Sequence, residues 1–191
     1  MRVYELSAPA VEPLAYAEVA AHLRLDGSAQ QTLIESYIKA ARMAVENLTA
    51  RALINRSLRL VLDEWEGVTT LPKPPVSAIT SISVLLLDGS SVTVPPTAYR
   101  LLIGDAETRL LIPNTAAVAS PGLEAGGILI DYTAGYGSSA AAVPQAFKTA
   151  MMLLIGLWYD QRVAVTTPVH GLLLPQAVAA LLEPYKIRRL G

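Results

Sequence analysis

The clearest hydrophobic pattern in the chain is a helical stripe between residues 29 and 50. Apolar residues recur there at intervals of three and four: Leu33, Ile34, Tyr37, Ile38, Ala41, Ala44, Val45 and Leu48. Charged residues fall outside this stripe. Glu35 and Lys39, like Arg42 and Glu46, are spaced four apart, so each pair is placed to form an ion pair on the helix surface. The pattern predicts one long amphipathic helix.

A shorter helix is expected before it. Residues 14–25 show a weaker spacing of three and four, and Asp26-Gly27 is typical of a turn that ends a helix. Ser28 and Gln31 then have the spacing of a capping box at the start of the long helix. The chain is therefore predicted to open with an antiparallel helical hairpin.

The hydrophobic period changes from 3.6 to 2 after Asn55. Alternating leucines at 58, 60 and 62 predict a strand with one buried face, and residues 128–133 repeat this pattern. Two hairpins are predicted where apolar runs flank Asp88-Gly89 and Gly104-Asp105. Residues 67–75 and 114–127 are rich in proline, glycine or small residues and are expected to be loops. About six short strands result, in an antiparallel sheet or a small sandwich.

The C-terminal third is predicted to be helical again. Pro144 is suited to the first turn of a helix that reaches about residue 162 and is apolar nearly all round, as expected for a buried helix. Residues 163–174 are expected to form a loop, and residues 175–183 a short helix. Because Pro184 cannot continue that helix, the remaining basic residues are predicted to leave the domain as an extended arm.

These elements define an α+β fold. A helical bundle, made by the N-terminal hairpin and the buried C-terminal helix, carries an inserted antiparallel β subdomain and an extended C-terminal arm. The expected boundaries are residues 1–54 for the hairpin, 55–137 for the β subdomain, 138–183 for the C-terminal helices and 184–191 for the arm.

Composition narrows the possible functions. Only 16% of the residues are charged while 52% are hydrophobic, and the net charge is −1, so no broad basic face for nucleic acid is expected. The chain has no cysteine, which excludes disulfides, thiol catalysis and cysteine-rich zinc sites. No apolar run reaches the roughly 20 residues that span a membrane. The N-terminus lacks the pattern of a signal peptide, so synthesis in the cytoplasm is expected.

No residue cluster predicts catalysis. His22 and His170 have no acidic or histidine neighbours at metal-ligand spacing, and residues 135–139 (GYGSS) lack both the lysine of a phosphate loop and the spacing of a nucleophile elbow. Asp105 and Glu107 are expected to be solvated at a hairpin tip. We therefore predict no catalytic, metal or cofactor site, and no enzyme. A small enzyme or ligand-binding module, with a pocket between helices and sheet, is the alternative.

Several segments, in order along the chain, resemble the phage gp6-like head-tail connector proteins and, among these, the phiE125 gp8-type group. They are a proline after a variable start, AAHLRLD at 20–26, the long Ala-rich helix, RALI at 51–54, LPKPPV at 71–76 with ITSI at 79–82, YTAGYG at 132–137, LLIGLWY at 153–159 through Arg162, and LLEPYKIRR at 181–189. Each piece is short, but the series spans nearly the whole chain. Residues 163–174 are more apolar than this family's pattern.

The resemblance implies an adaptor located at the head-tail interface of a tailed phage, a prophage or a gene transfer agent particle. Such a protein forms a ring, usually of twelve copies, under the portal; a tail-side connector or stopper protein attaches to its other side, and DNA passes through its centre. Together with the alternation of basic and apolar residues in the predicted arm, it suggests a portal-binding segment. The residues concerned are Tyr185, Lys186, Ile187, Arg188, Arg189 and Leu190.

Overall fold

The protein divides into two compact units. The computed structural model describes residues 1–104, 107–122, 125–160 and 175–187. Unit 1 comprises Met1–Ala10 and Asn55–Tyr136, and unit 2 comprises Val11–Ile54 and Gly137–Gly191. The first ten residues thus belong with the β subdomain, and the predicted boundary of the helical hairpin at residue 1 is corrected to Val11. The α+β fold class is confirmed.

Unit 1 is built from two antiparallel sheets. Its strands, in chain order, are β1 Arg2–Glu5, β2 Arg56–Leu62, β3 Val68–Leu71, β4 Val76–Leu85, β5 Ser91–Thr93, β6 Arg100–Ile103, β7 Thr108–Leu111 and β8 Ile128–Ala134. Five strands form one sheet in the order β1-β2-β8-β4-β5, and three form the other in the order β3-β7-β6. The described part of the chain therefore holds eight strands where the sequence pattern predicted about six.

The core of unit 1 follows from the alternation in β2 and β8. Leu58, Leu60 and Leu62 are buried, and in register they face Tyr132, Ile130 and Ile128, which are buried as well. The opposite face of these strands carries half-buried polar groups, among them the ion pair of Arg59 with Asp131 at 2.7 Å. The alternation also determines the register of the strands. A shift of one residue in their pairing would move the buried leucines to the polar face and the polar residues into the core.

Two strands were missed by the sequence pattern. β1 pairs with β2, with Val3 opposite Leu60, although the two strands are more than fifty residues apart in sequence. β3 lies in the segment that was predicted to be a loop and pairs with β7, with Leu71 opposite Thr108. Both strands are only four residues long, and neither adjoins a predicted hairpin turn of the kind that revealed the equally short β6 and β7.

The α-helices of the described residues all lie in unit 2. They are α1 Tyr16–Leu23, α2 Gln31–Thr49, α3 Gln145–Asp160 and α4 Gln176–Leu182. α2 packs on α3, as Ile34, Ile38 and Val45 of α2 and Leu154 of α3 are all buried. No described helix is both long and apolar enough to cross a membrane.

The capping box predicted from Ser28 and Gln31 does not form. The residue that precedes α2 is Gln30, which makes no side-chain cap, and Ser28 contributes only its carbonyl oxygen, 3.0 Å from the Gln31 amide nitrogen. The reciprocal half of such a box occurs instead at α1, where the Glu18 carboxylate accepts the Ala15 amide at 2.7 Å. The helix starts are therefore nearly as predicted, but their hydrogen bonds differ.

Candidate functional site: the C-terminal segment and the helix ends that hold it

The segment predicted to bind a portal begins inside unit 2, not beyond it. Residues Glu183–Tyr185 form a 3-10 helix directly after α4, so the predicted departure of an extended arm at Pro184 is corrected. Pro184 lies in the first turn of this short helix, where a missing amide hydrogen is tolerated. Lys186 is the first residue with extended backbone angles.

Contacts with Phe147, Arg51 and Thr49 hold the segment in place. The ring of Tyr185 packs on the fully buried ring of Phe147, with centroids 4.6 Å apart. Arg51, only 6% exposed, donates from Nε to the Tyr185 carbonyl oxygen at 2.6 Å. The Ile187 amide donates to the Thr49 carbonyl oxygen at 3.3 Å. Residues 185–187 are thus anchored to the end of α2 and to α3, and they are half-buried.

Among the charged residues of the predicted segment, the structure describes Lys186. Lys186 is engaged locally, since its Nζ lies 2.7 Å from the Glu183 carboxylate in an exposed pair of the kind that adds little stability. Arg188, Arg189 and Leu190 lie outside the described residues. His170, Asp105 and the loop predicted over residues 163–174 are outside them as well.

A buried ion cluster, formed by Arg42, Glu46 and Glu12, stabilises the C-terminal part of α2, next to which the C-terminal segment is anchored. Arg42 donates to Glu12 at 2.8 Å and to Glu46 at 3.0 Å, and the second Glu46 oxygen accepts the amide of Leu53 at 2.9 Å. Burial lowers the pKa of the Arg42 guanidinium, but the hydrogen bond to Glu12 and the charge of Glu46 outweigh it, so the pKa is raised. The sequence pattern predicted the pairing of Arg42 with Glu46 but placed it on the helix surface, whereas both residues are buried.

The other predicted helix pair does not form. Glu35 accepts a hydrogen bond from the side chain of Gln31 at 2.8 Å, and Lys39 makes no ion pair with any described residue. Both residues lie on the rim of a cleft of about 230 Å³ between α2 and the segment before α1, which Glu12, Leu14, Tyr16 and Ile38 also line. This volume is below the roughly 300 to 1,000 Å³ of ordinary small-molecule sites.

Candidate chemistry is sparse in the described part of the chain. His22 is exposed on α1, and Glu107 accepts a hydrogen bond from Thr70 at 2.8 Å. The described residues hold no group of three or more histidine and acidic side chains that could bind a metal. In this part of the protein, therefore, no arrangement of polar groups specifically favours the enzyme alternative.

Comparison with solved structures gives matches over the full length of the chain. A chain from the neck of an empty gene transfer agent particle, computed with C6 symmetry, superimposes with a TM-score of 0.84 at 30% identity. A chain from the virion of the native gene transfer agent particle gives 0.83 at 31%, and one from the native neck, computed with C12 symmetry, gives 0.80 at 30%. Each match covers 100% of this chain and 98% of the other.

No family model matches the sequence, and no curated protein matches it either. The structural matches identify this protein as a structural protein of the head-tail neck of phage-like particles. The chain belongs to the family of neck proteins of gene transfer agent particles. The narrower resemblance to gp6-like connectors of the phiE125 gp8 type stays a prediction.

Proposed function

We propose that this protein is a head-tail adaptor that forms a ring between the portal and the tail of a tailed phage, prophage or gene transfer agent particle. The observation that carries the proposal is the match of the entire chain, in both of its units, to proteins of a particle neck. One of these necks was computed with C12 symmetry, which suits a ring of twelve copies. DNA would pass through the lumen without being bound, in keeping with the net charge of −1.

The low charge content supports a protein that is covered by neighbours. Among the described residues, large apolar side chains are exposed on both units, including Leu87 and Ile103 in unit 1 and Met43 in unit 2. Contacts with other copies, with the portal and with a tail-side connector or stopper would remove such side chains from water. We propose that the chain has a structural role and no catalytic activity.

Portal docking is assigned to the C-terminal segment, with its first and last residues in different roles. Tyr185 and Ile187 are engaged with the protein's own helices and would fix the point from which the segment departs. Arg188, Arg189 and Leu190 would then contact the portal directly. Because residues 185–187 are already held by the protein's own helices, less conformational entropy is lost when the last residues become ordered on a partner.

Two truncations separate these roles. A chain that ends after Ile187 should keep the wild-type melting temperature and lose stable binding to the portal, measured by co-purification. A chain that ends after Pro184 should also melt at a lower temperature, because it loses the contacts of Tyr185 with Phe147 and Arg51.

Charge variants provide the matched control. Replacing Arg188 and Arg189 together by Ser should weaken portal binding in a salt-dependent way, whereas Lys186→Ser should have a smaller effect because Lys186 is already paired with Glu183. If the chain that ends after Ile187 binds the portal as tightly as the full chain, the portal-binding surface lies elsewhere.

A further inference from the structure

Leu87 is the most exposed large apolar side chain in the described part of the protein, at 83% of its full accessible surface. It is located at the tip of the hairpin formed by β4 and β5. The Asp88 carboxylate accepts hydrogen bonds from the amide and the hydroxyl of Ser90 at 2.9 and 2.6 Å, and the Leu86 amide donates to the Ser90 carbonyl at 2.9 Å. The turn that presents Leu87 is therefore closed by its own hydrogen bonds.

The tip is also supported from behind. The amide of Gly122 donates to the Leu85 carbonyl at 2.9 Å, and a side chain at position 122 would collide with the backbone of Leu87. This close approach requires glycine at 122. Because the tip is fixed on both sides, inserting Leu87 into a partner would involve little ordering, which favours its use as an anchor.

Unit 2 has a cleft that could accept an apolar side chain such as that of Leu87. The cleft beside α2 has apolar walls supplied by Leu14 and Ile38, and the Tyr16 hydroxyl, which donates to the Gly27 carbonyl at 2.6 Å, holds another wall in place. Its volume of about 230 Å³ is small for a cofactor but sufficient for one aliphatic side chain.

The charged residues beside the cleft and beside Leu87 could form an ion pair between two copies. On the cleft rim, Glu12 is bonded to Arg42 and Glu35 to Gln31, whereas Lys39 has no ion-pair partner among the described residues. Beside the protruding leucine lies Asp88, whose pKa is lowered by the hydrogen bonds from Ser90, so it is charged at neutral pH. A carboxylate next to Leu87 would therefore meet an available cation at the rim.

We propose that Leu87 of one copy inserts into the cleft lined by Leu14, Tyr16 and Ile38 of the next copy, with Asp88 beside Lys39, as a lateral contact of the ring. The inference rests on the proposed ring. In a cyclic assembly of more than two copies, each contact joins two different surfaces of the same chain. A protruding apolar side chain and an apolar cleft are such a pair of surfaces, and this favours a second copy over another occupant.

The absence of native cysteines allows a direct test by disulfide cross-linking. Leu87→Cys and Lys39→Cys would be prepared as single variants, mixed, assembled on the portal and oxidised. We expect a cross-linked dimer from the mixture and only background levels from either variant alone. Leu87→Cys mixed with Ala177→Cys, an exposed site at the start of α4, is the control for random collision.

A second measurement tests the energetic role of the leucine. Leu87→Ser should weaken ring assembly by about 10- to 100-fold, the effect of withholding one buried leucine side chain from a contact. Its melting temperature should stay unchanged, because the side chain is 83% exposed in the free protein. Val92→Ser, an exposed position on the neighbouring strand, should assemble like the wild type.

The outcomes separate this inference from the proposed function. If rings form on the portal but the mixture gives no more cross-link than the Ala177→Cys control, the lateral contact is wrong and the adaptor role remains. If Leu87→Cys alone cross-links strongly, the hairpin tips meet each other and the contact with the cleft is wrong. If no ring forms on the portal with the wild-type protein, the proposed function itself fails.

Discussion

The buried ion cluster of unit 2 gives the sharpest test of the energetics of the fold. Glu46 is 4% exposed and accepts hydrogen bonds from the Arg42 guanidinium at 3.0 Å and from the Leu53 amide at 2.9 Å. Glu46→Ala removes both acceptors at once. It leaves Arg42 with Glu12 as its remaining carboxylate partner and deprives a fully buried amide of its hydrogen bond.

The magnitude follows from these two losses. Removing one partner of a buried ion pair costs about 3 to 5 kcal/mol, and we take the lower part of this range because Glu12 remains 2.8 Å from Arg42. An unsatisfied buried amide adds about 1 to 3 kcal/mol. Since the two losses share one side chain and are not additive, we expect Glu46→Ala to lower the free energy of unfolding by about 3 to 5 kcal/mol.

The assay needs a signal from unit 2 alone. Trp158, on α3 with its ring 6.2 Å from that of Tyr37, reports on this unit, so Trp65→Phe would serve as the background for urea denaturation followed by fluorescence. Glu46→Gln should cost clearly less than Glu46→Ala, because its side-chain oxygen still accepts the Leu53 amide. Glu35→Ala, at an exposed position of the same helix, should lie within about 0.5 kcal/mol of the background. If Glu46→Ala is as stable as Glu35→Ala, the Glu46 carboxylate does not stabilise unit 2 through Arg42 and the Leu53 amide.

Two further predictions concern unit 1. Hydrogen bonds from Arg59 hold the pKa of Asp131 below its usual range, so this pair stabilises the fold above about pH 4 and the contribution is lost as the pH falls toward the folded-state pKa. Asp131→Asn should therefore flatten the loss of stability on acidification in urea titrations between pH 5 and pH 2, and an unchanged slope would contradict this. Tyr132→Phe removes the hydrogen bond from the buried hydroxyl to the Pro72 carbonyl at 2.9 Å and should cost about 1 kcal/mol. Tyr4→Phe, at an exposed position, should cost nothing measurable in the same denaturation experiment.

The elements with a strong period were predictable from the sequence alone. α2 lies within one residue or two of its predicted ends, and β2 and β8 bury the residues that their alternation selects. β1 and β3 were missed because four residues show little alternation and no predicted hairpin turn adjoins them, as one adjoins β6 and β7. Each pairs with a strand that is far away in sequence.

The errors near the candidate site have a different origin. Arg42 and Glu46 have the spacing of a surface ion pair, and their burial depends on Glu12 and Leu53, which no local pattern connects to them. Pro184 was interpreted as the end of helical structure, although proline is equally suited to the first turn of a new helix, which is its position here. The anchoring of Tyr185 by Arg51 joins residues 134 positions apart and could be found only in three dimensions.

The proposed function requires that this chain docks as a ring on a portal. The most direct measurement is the mass of the complex formed when the protein is added in excess to the purified portal of its own particle. We predict that the portal gains a discrete complement of twelve copies, as a neck with C12 symmetry suggests, and that the complex survives gel filtration. A portal whose mass is unchanged after gel filtration, at low and at physiological salt, would contradict the account.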